Sequence, residues 1–329
     1  MTRAGAALPR ALREMWPTPA APRPRTDIAV VVPLYNHERY ISTALRSVLA
    51  QTAAAREIIL IDDGSSDNGL AIAREVLRDV ADCRVRSQPN AGAHATINRA
   101  FALTEAPFVA VLNSDDTFAP EKLAWCQDIL AARPDTDLIA GRVTLIGERG
   151  EALAHGPSAA WLARAHDFAD RTGLDRLALL HENHIATTSN MVVSRALWRR
   201  VGGFAALRYC HDLDFLMRAY DHGHVVLDRS RVHVRYRVHA ANTIGEDARN
   251  IRVELAAVIA ATLCESGARL LPAGDAGFAA FMEVLRAKGL SDLVLYFCAM
   301  FYHFESRDAF LAFATAHASA FADHPRGRA

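Results

Sequence analysis

Asp115 and Asp116 end an apolar run, Phe108 to Leu112, and precede a helix that starts near Pro120. A hard divalent cation such as Mg²⁺ or Mn²⁺ takes oxygen ligands, commonly one or two protein carboxylates completed by substrate phosphate and water. The pair can therefore form half of a metal shell. The same residues can instead cap the helix or solvate a turn. A second doubled acid, Asp62 and Asp63 in IDDGSSD, follows another apolar run. There Asp63 can accept from a base N–H or a ribose hydroxyl, with Gly64 turning the chain and Asp67 capping the next helix. Turn formation accounts for Gly64 to Asp67 but not for the doubled acid.

Two further segments carry chemistry. In YCHDLDFLMRAY, Leu213, Leu216, Met217 and Tyr220 recur at helical spacing, which puts Asp212 at a helix start. It is either an N-cap or a general base that takes a proton from an attacking hydroxyl. In SRVHVRYRVHAANT, Val232, Val234, Tyr236 and Val238 alternate with Arg231, His233, Arg235, Arg237 and His239. A strand there has one apolar face and one basic face. The basic face is either solvated or meets a diphosphate, with an imidazole available to a metal.

These side chains need a scaffold, and hydrophobic periodicity supplies one. Ile28 to Val32, Ile58 to Ile61, Arg84 to Arg86 and Phe108 to Leu112 predict strands. Between them Ile41, Leu45, Val48 and Leu49, then Leu70, Ala73 and Leu77, then Ala93, Ile97, Ala100 and Phe101 predict helices. Alternating strand and helix means an α/β fold with a mostly parallel central sheet covered on both faces, and ligands in such sheets bind beyond the carboxyl ends of the strands. Those ends carry PLYN (Pro33 to Asn36), DDGSSD, QPNAG (Gln88 to Gly92) and NSDD. The middle, about 150 to 205, is less regular, with a helix near Leu174 to His181 and a short strand at Met191 to Val193. Beyond residue 245 the pattern is helical, with packing helices at Ile251 to Leu263 and Phe278 to Leu285.

The 329 residues are 51% hydrophobic, enough for one large core or a core with a helical appendage. With 37 basic and 37 acidic side chains the overall field vanishes, which argues against a nucleic-acid partner. Cys83, Cys126, Cys210, Cys264 and Cys298 are scattered without zinc spacing and suit a reducing cytosol. No secretory leader and no membrane span is expected. Residues 1 to 26, rich in Ala, Pro and Arg, read as a loose tail, with a short membrane-surface helix through Leu8, Leu12, Met15 and Trp16 as the alternative. The expected units are that tail, a catalytic domain over 27 to 245 and a helical C-terminal extension over 246 to 329.

Taken in order, VVVPLYNHERYISTALRSVLAQT, IILIDDGSSD and NAGAHATINRAFALTEAPFVAVLNSDD resemble the blocks of the family 2 glycosyltransferases of the GT-A fold. The likeness runs from about Ile28 to Asn242. It implies a nucleotide-diphospho-sugar donor, UDP-linked in most members, held at the carboxyl edge of the sheet with Mg²⁺ or Mn²⁺, and inverting transfer to a glycan or lipid-linked glycan. Carried over by residue, Pro33 is donor-binding, Tyr35 stacks on or borders the base, Asp63 binds uracil or ribose, and Asn90 with Gly92 shapes the nucleotide loop. Asp115 and Asp116 resemble the DxD-type motif, with Asp115 toward the donor sugar or ribose and Asp116 on the metal. HDLDFLMR resembles the segment that supplies the catalytic base, here Asp212, although His211 stands where the family commonly has Glu. YRVHAANT resembles the C-terminal basic block, giving Arg237 for phosphate and His239 for the metal, and TTSNMVVSRALWRRVGGF resembles the acceptor-side loop, with Asn190 and Trp198 as lining residues.

The resemblance also implies cell-surface glycan or polysaccharide synthesis in the cytoplasm, at the inner face of the membrane. Two other functions stay in view. A binding protein that has lost turnover would retain the pocket, but it needs no base, and Asp212 is retained. A sugar-phosphate nucleotidyltransferase would carry a Gly-rich phosphate loop after the first strand, where this chain has PLYNHERY. The apolar DLVLYFCAMFYHF is read first as core packing, with a homodimer contact, an acceptor lid and peripheral membrane association as alternatives.

Overall fold

A computed structural model describes residues 23–240, 242, 247–267 and 274–322. The alternative of a membrane-surface helix at Leu8 to Trp16 lies outside these residues. The first half follows the predicted alternation: β1 (Ile28–Leu34), α1 (Ile41–Leu49), β2 (Ile58–Asp62), α2 (Gly69–Val76), β3 (Cys83–Ser87), α3 (Ala93–Leu103) and β4 (Phe108–Val111). Next come β5 (Thr117–Phe118), α4 (Lys122–Ala132), β6 (Leu138–Ile146), α5 (Pro157–Thr172), α6 (Asp175–His181), β7 (Val192–Ser194), α7 (Arg195–Val201), α8 (His211–His222) and β8 (Val225–Arg237). Five helices close the described chain: α9 (Ala248–Ser266), α10 (Gly274–Ala287), α11 (Ser291–Phe301), α12 (Arg307–Ala316) and α13 (Ala318–Ala322).

Among the described residues the strands form one sheet in the order β3-β2-β1-β4-β7-β6-β8-β5. β1 pairs in parallel with β2 and β4, and β2 with β3. β7 is antiparallel to both β4 and β6, and β6 is parallel to β8. The two reversals at β7 cancel, so β8 ends at the same sheet edge as β4. Thus segments more than a hundred residues apart in sequence deliver their last residues to one place.

Helices cover both faces, as the continuous apolar strands require. One layer packs Ile41, Leu45 and Leu123 against Val30 and Leu60, and the other packs Ile97, Phe101 and Phe215 against Val31 and Ile59. Val253, Phe297 and Phe310 of the C-terminal helices belong to the second layer's core, so this helical part shares its apolar interior with the sheet. No helix among the described residues is long and apolar enough to cross a membrane.

The two-residue β5 and two longer elements escaped the sequence pattern. β6 carries Gly141 and Arg142 in its middle, which breaks the apolar run. The glycine is needed because a Cβ there would sit 2.2 Å from the His233 ring of β8. α5 buries only Leu162, Ala165 and Ala169, and two alanines make a faint stripe.

After β2 the chain turns at Gly64, whose φ of +75° lies in the left-handed region and whose added Cβ would meet the Asn90 nitrogen at 2.9 Å. The β2 turn and the 88–92 loop can approach this closely only without a side chain. Gly64→Ala is expected to lower the unfolding free energy by about 1–3 kcal/mol, the usual cost of a residue held in a sparsely populated conformation. Urea denaturation checks this, and an unchanged midpoint with unchanged slope would show that the loops can separate at no cost.

Candidate active site

The two opening carboxylates have opposite fates. Asp116 is fully buried. One of its oxygens accepts from Ser189 Oγ at 2.6 Å and Thr187 Oγ1 at 3.1 Å, and the other from the Arg237 backbone N–H at 2.9 Å. Burial, then the neighbouring Asp115 charge, pushes its carboxyl up to about 8. Below it Lys122, also fully buried, donates to the Ser189 carbonyl at 2.6 Å and lies over the Phe118 ring, and burial brings its amine down to about 7.

Asp115 points the other way. His239 Nε2 lies 3.1 Å from its Oδ2, and His37 Nε2 lies 4.0 Å from the same oxygen. Burial alone would raise this carboxyl, but the hydrogen bond from His239 and the charges of both imidazoles outweigh it and hold it below the ordinary value. His37 is itself lowered, mainly by burial. Its Nδ1 pairs with Ser114 Oγ at 2.8 Å, leaving Nε2 facing Asp115. Tyr40 packs against both imidazoles. One ligand atom from each of His37, Asp115 and His239 lies within 4.8 Å of the others, the one such group among the described residues. Neutral imidazole nitrogen and an ionised carboxylate are fitting donors for a divalent cation.

Two residues with expected ligand roles have protein partners here. Asp116, expected on the metal, is not in the trio because its oxygens already serve the protein. Arg237, expected on phosphate, is buried, with Nε on the Asp115 carbonyl at 2.7 Å and Nη1 on the carbonyls of Gly147 and Glu148 at 2.8 and 3.1 Å. Burial along its face of β8 is uneven, and Arg231 there keeps 40% of its side chain exposed. His233, on that same face, is fully buried against Asp228 at 3.0 Å.

Along the edge toward β2, Asp63 organises a loop. Its carboxylate accepts from Gln88 Nε2 at 2.7 Å and from the backbone N–H groups of Ala91 and Gly92, each at 2.9 Å. It thereby fixes the path of Asn90 and Gly92. Pro33 lies half-buried near the end of β1, and Tyr35 just beyond it is 48% exposed, an aromatic face offered to solvent. Asn36, with a φ of +52°, accepts from the Ser66 N–H at 2.8 Å and ties this segment to the β2 turn.

Asp212 lies in the first turn of α8, half-buried, and accepts from Asn183 Nδ2 at 3.0 Å. Burial raises its carboxyl, while His211 opposes the rise. It is not the N-cap: Cys210 holds that position without a side-chain hydrogen bond. The Tyr236 phenol is raised first by burial and then by the charges of Asp116, Asp115 and Asp212. His211 borders the same side, and its charge together with burial lowers His94 on α3.

Of the three residues expected on the acceptor side, Asn190 is interior, while Trp198 and His211 are half-buried. Asn190 is fully buried, donating to the carbonyls of Gly141 and Ile185 and accepting from the Gly141 N–H. Trp198 stacks on Phe101 with centroids 5.4 Å apart and donates to Asn98 Oδ1 at 3.0 Å. Sequence reasoning missed His37 as a site residue. The signal was its position, just past the carboxyl end of β1, where the ligand rule already directs attention.

A family model described as "Glycosyl transferase family 2" matches residues 29–202, more than half of the chain. The succinoglycan biosynthesis protein ExoU of Rhizobium meliloti is 34% identical over 140 residues, 42% of this chain and 39% of that protein. The chain thus aligns with about two fifths of that relative's length. Among solved structures, residues 1–349 of S. aureus TarS in complex with UDP-GlcNAc superpose with a TM-score of 0.54 at 16% identity, over 89% of this chain and 92% of that one. A mannosyltransferase from Pyrobaculum calidifontis, in complex with GDP-Man and Mn²⁺, gives 0.54 at 19% identity over 96% and 86%. At these identities the likeness bears on the fold.

The buried position of Arg237 has a measurable consequence. Lysine keeps the charge but lacks the fork that reaches three carbonyls, so Arg237→Lys is expected to cost about 1–3 kcal/mol of stability through donors and acceptors left unmatched. Chemical denaturation without ligand tests this; an unchanged midpoint would return Arg237 to the phosphate role.

Proposed function

Since the chain belongs to glycosyl transferase family 2, we propose that it moves a sugar from a nucleoside diphosphate to an acceptor hydroxyl with inversion, using Asp212 as the base. The observation that carries the reading is Asp115, held between His37 and His239 at the carboxyl edge of the parallel strands. The donor diphosphate lies at that edge, its base beside Tyr35 and the loop that Asp63 organises. His37, Asp115 and His239 hold the divalent cation, and their two nitrogen donors fit Mn²⁺ better than Mg²⁺. When bound, the cation offsets the negative charge that grows on the leaving diphosphate.

The chain's own groups perform the remaining steps. Asp212 accepts the proton of the acceptor hydroxyl as that oxygen forms its bond to the anomeric carbon. The bond from that carbon to the phosphate oxygen breaks on the opposite face, and the nucleoside diphosphate leaves with the electron pair. Burial favours this base by raising its proton affinity above that of an ordinary carboxylate. Asn183, donating to Asp212 Oδ2, keeps the carboxylate oriented.

The donors bound by the two neighbours carry different bases, uracil and guanine, and so do not choose the base for this chain. The acceptor we propose is a growing cell-surface polysaccharide or its lipid-linked precursor at the cytoplasmic face of the membrane, in line with the succinoglycan role of the relative. Retention of the base together with the His–Asp–His trio favours turnover over a binding role.

Release of nucleoside diphosphate from UDP-glucose, UDP-galactose, UDP-N-acetylglucosamine and GDP-mannose, with and without Mn²⁺, tests the reading. One donor is expected to give metal-dependent release. Asp115→Asn and Asp212→Asn should each reduce it on the order of 10²-fold or more, the scale of losing a general base or a charge-stabilising group. Metal-independent binding with no release from any donor would overturn the proposal. The rate should also fall on acidification as Asp212 takes up a proton, with a midpoint above the ordinary aspartate range because burial raises this group. A rate flat to below pH 4 would exclude Asp212 as the base.

A further inference from the structure

α9 is apolar over most of its length, yet it carries one carboxylate into the core: Glu254, only 2% exposed, on the same helix as the buried Val253, Ala256, Ala257 and Val258. A buried charge needs strong partners. Glu254 has three, all main-chain amides of one segment. Oε1 accepts from the Arg208 N–H at 3.0 Å, and Oε2 accepts from those of Tyr209 at 2.8 Å and Cys210 at 2.9 Å. These residues lead directly into α8, whose N-cap position, Cys210, has no side-chain cap of its own. Another helix thus holds the N-cap residue of α8 and the two residues before it by their main-chain amides.

A second contact reaches the same turn from the C-terminal helices. Arg307, in the first turn of α12, donates through Nε and Nη2 to Asp214 Oδ1 at 3.0 and 2.7 Å, and through Nη1 to Glu265 Oε2 at 2.6 Å. Asp214 is fully buried and also paired with Arg218. Asp212 lies between the two anchored points, two residues past Cys210 and two before Asp214.

The geometry points to Glu254, seconded by Arg307, as the positioning residue that sets where Asp212 meets the acceptor hydroxyl. This inference rests on the assignment of Asp212 as the base. It gives the C-terminal helices a role in the reaction without any contact with substrate. The donor half of the site, built from β1, β2, β4 and β8, makes no use of these contacts, so donor binding and turnover should separate when the anchor is removed.

The experiment uses the full chain, Glu254→Gln, Arg307→Lys and Asp212→Asn. It follows nucleoside diphosphate release from the four donors named above, UDP affinity in Mn²⁺ and amide hydrogen exchange. Glutamine keeps the shape of Glu254 but presents one acceptor oxygen and an NH₂ group to three N–H donors. In Glu254→Gln, kcat should fall on the order of tenfold to a hundredfold, the scale set by a misplaced reacting group. UDP affinity should stay within about twofold, and exchange at 208–210 should rise about tenfold, as a lost hydrogen bond allows. Arg307→Lys, which retains the charge, should show a smaller loss of kcat with the same unchanged affinity, and it carries the test if Glu254→Gln does not fold. An unchanged kcat alongside faster exchange would reduce Glu254 to a stability role and overturn the inference. Asp212→Asn turning over like the parent, or no release from any donor, would overturn the base assignment instead. Unaltered exchange at 208–210 in Glu254→Gln would overturn the anchor by itself, which keeps the two failures distinct.

Discussion

The buried carboxylate of Asp116 ties the end of β4 to the end of β8 and to the 187–189 turn, and the geometry of the rest of the site follows from that tie. Three donors converge on it, two hydroxyls and one main-chain N–H. Adjacent residues leaving a strand end cannot both turn inward, so fixing Asp116 inside sends Asp115 outward to His37 and His239. Arg237 supplies positive charge beside the pair with its donors taken up by main-chain carbonyls, and the Lys122 amine, brought down to about 7 by burial, donates to the Ser189 carbonyl beneath it. A desolvated carboxylate would be costly without such partners, and with them it is a rigid pin.

Parallel topology explains why such distant segments meet. His37 follows β1, Asp115 follows β4 and His239 follows β8, three strands that end at one edge only because β7 reverses direction on both of its sides. Glu254 then extends the same economy to α8 from the opposite side, with one carboxylate for three amides.

Much of this was legible in the residues. The strands from Ile28, Ile58, Cys83 and Phe108 are short runs whose periodicity is local, and their polar carboxyl ends marked the edge where Asp115, Asp63 and Gly92 now stand. What failed was whatever depends on direction or on partners far along the chain. Nothing in NSDD says which aspartate faces β8, because that depends on the Arg237 N–H, 121 residues away. The alternation of β8 suggested a basic face that is solvated or meets a diphosphate, yet Gly141 opens space for His233 and three carbonyls accept from Arg237. Asn190 and Trp198 are polar or amphipathic side chains whose hydrogen bonds close inside the fold, which sequence alone cannot distinguish from a lining role. Glu254 drew no attention for the converse reason: one acid in an apolar helix reads as a solvated position.

Charge balance at the edge bears on the order of events. The whole chain is neutral, so no long-range field draws an anionic donor inward. Locally, on the proposed reading, Asp115 and Asp212 face the diphosphate, and the guanidinium of Arg237 has Nε and Nη1 committed to main-chain carbonyls. On the proposed reading a bare diphosphate meets repulsion there, and only an anion that arrives with a cation finds Asp115 and the two imidazoles favourable. The same carboxylate that repels the free donor recruits the loaded one, which ties donor selectivity to the metal and leaves Asp212, on its separately anchored helix, free to answer to the acceptor.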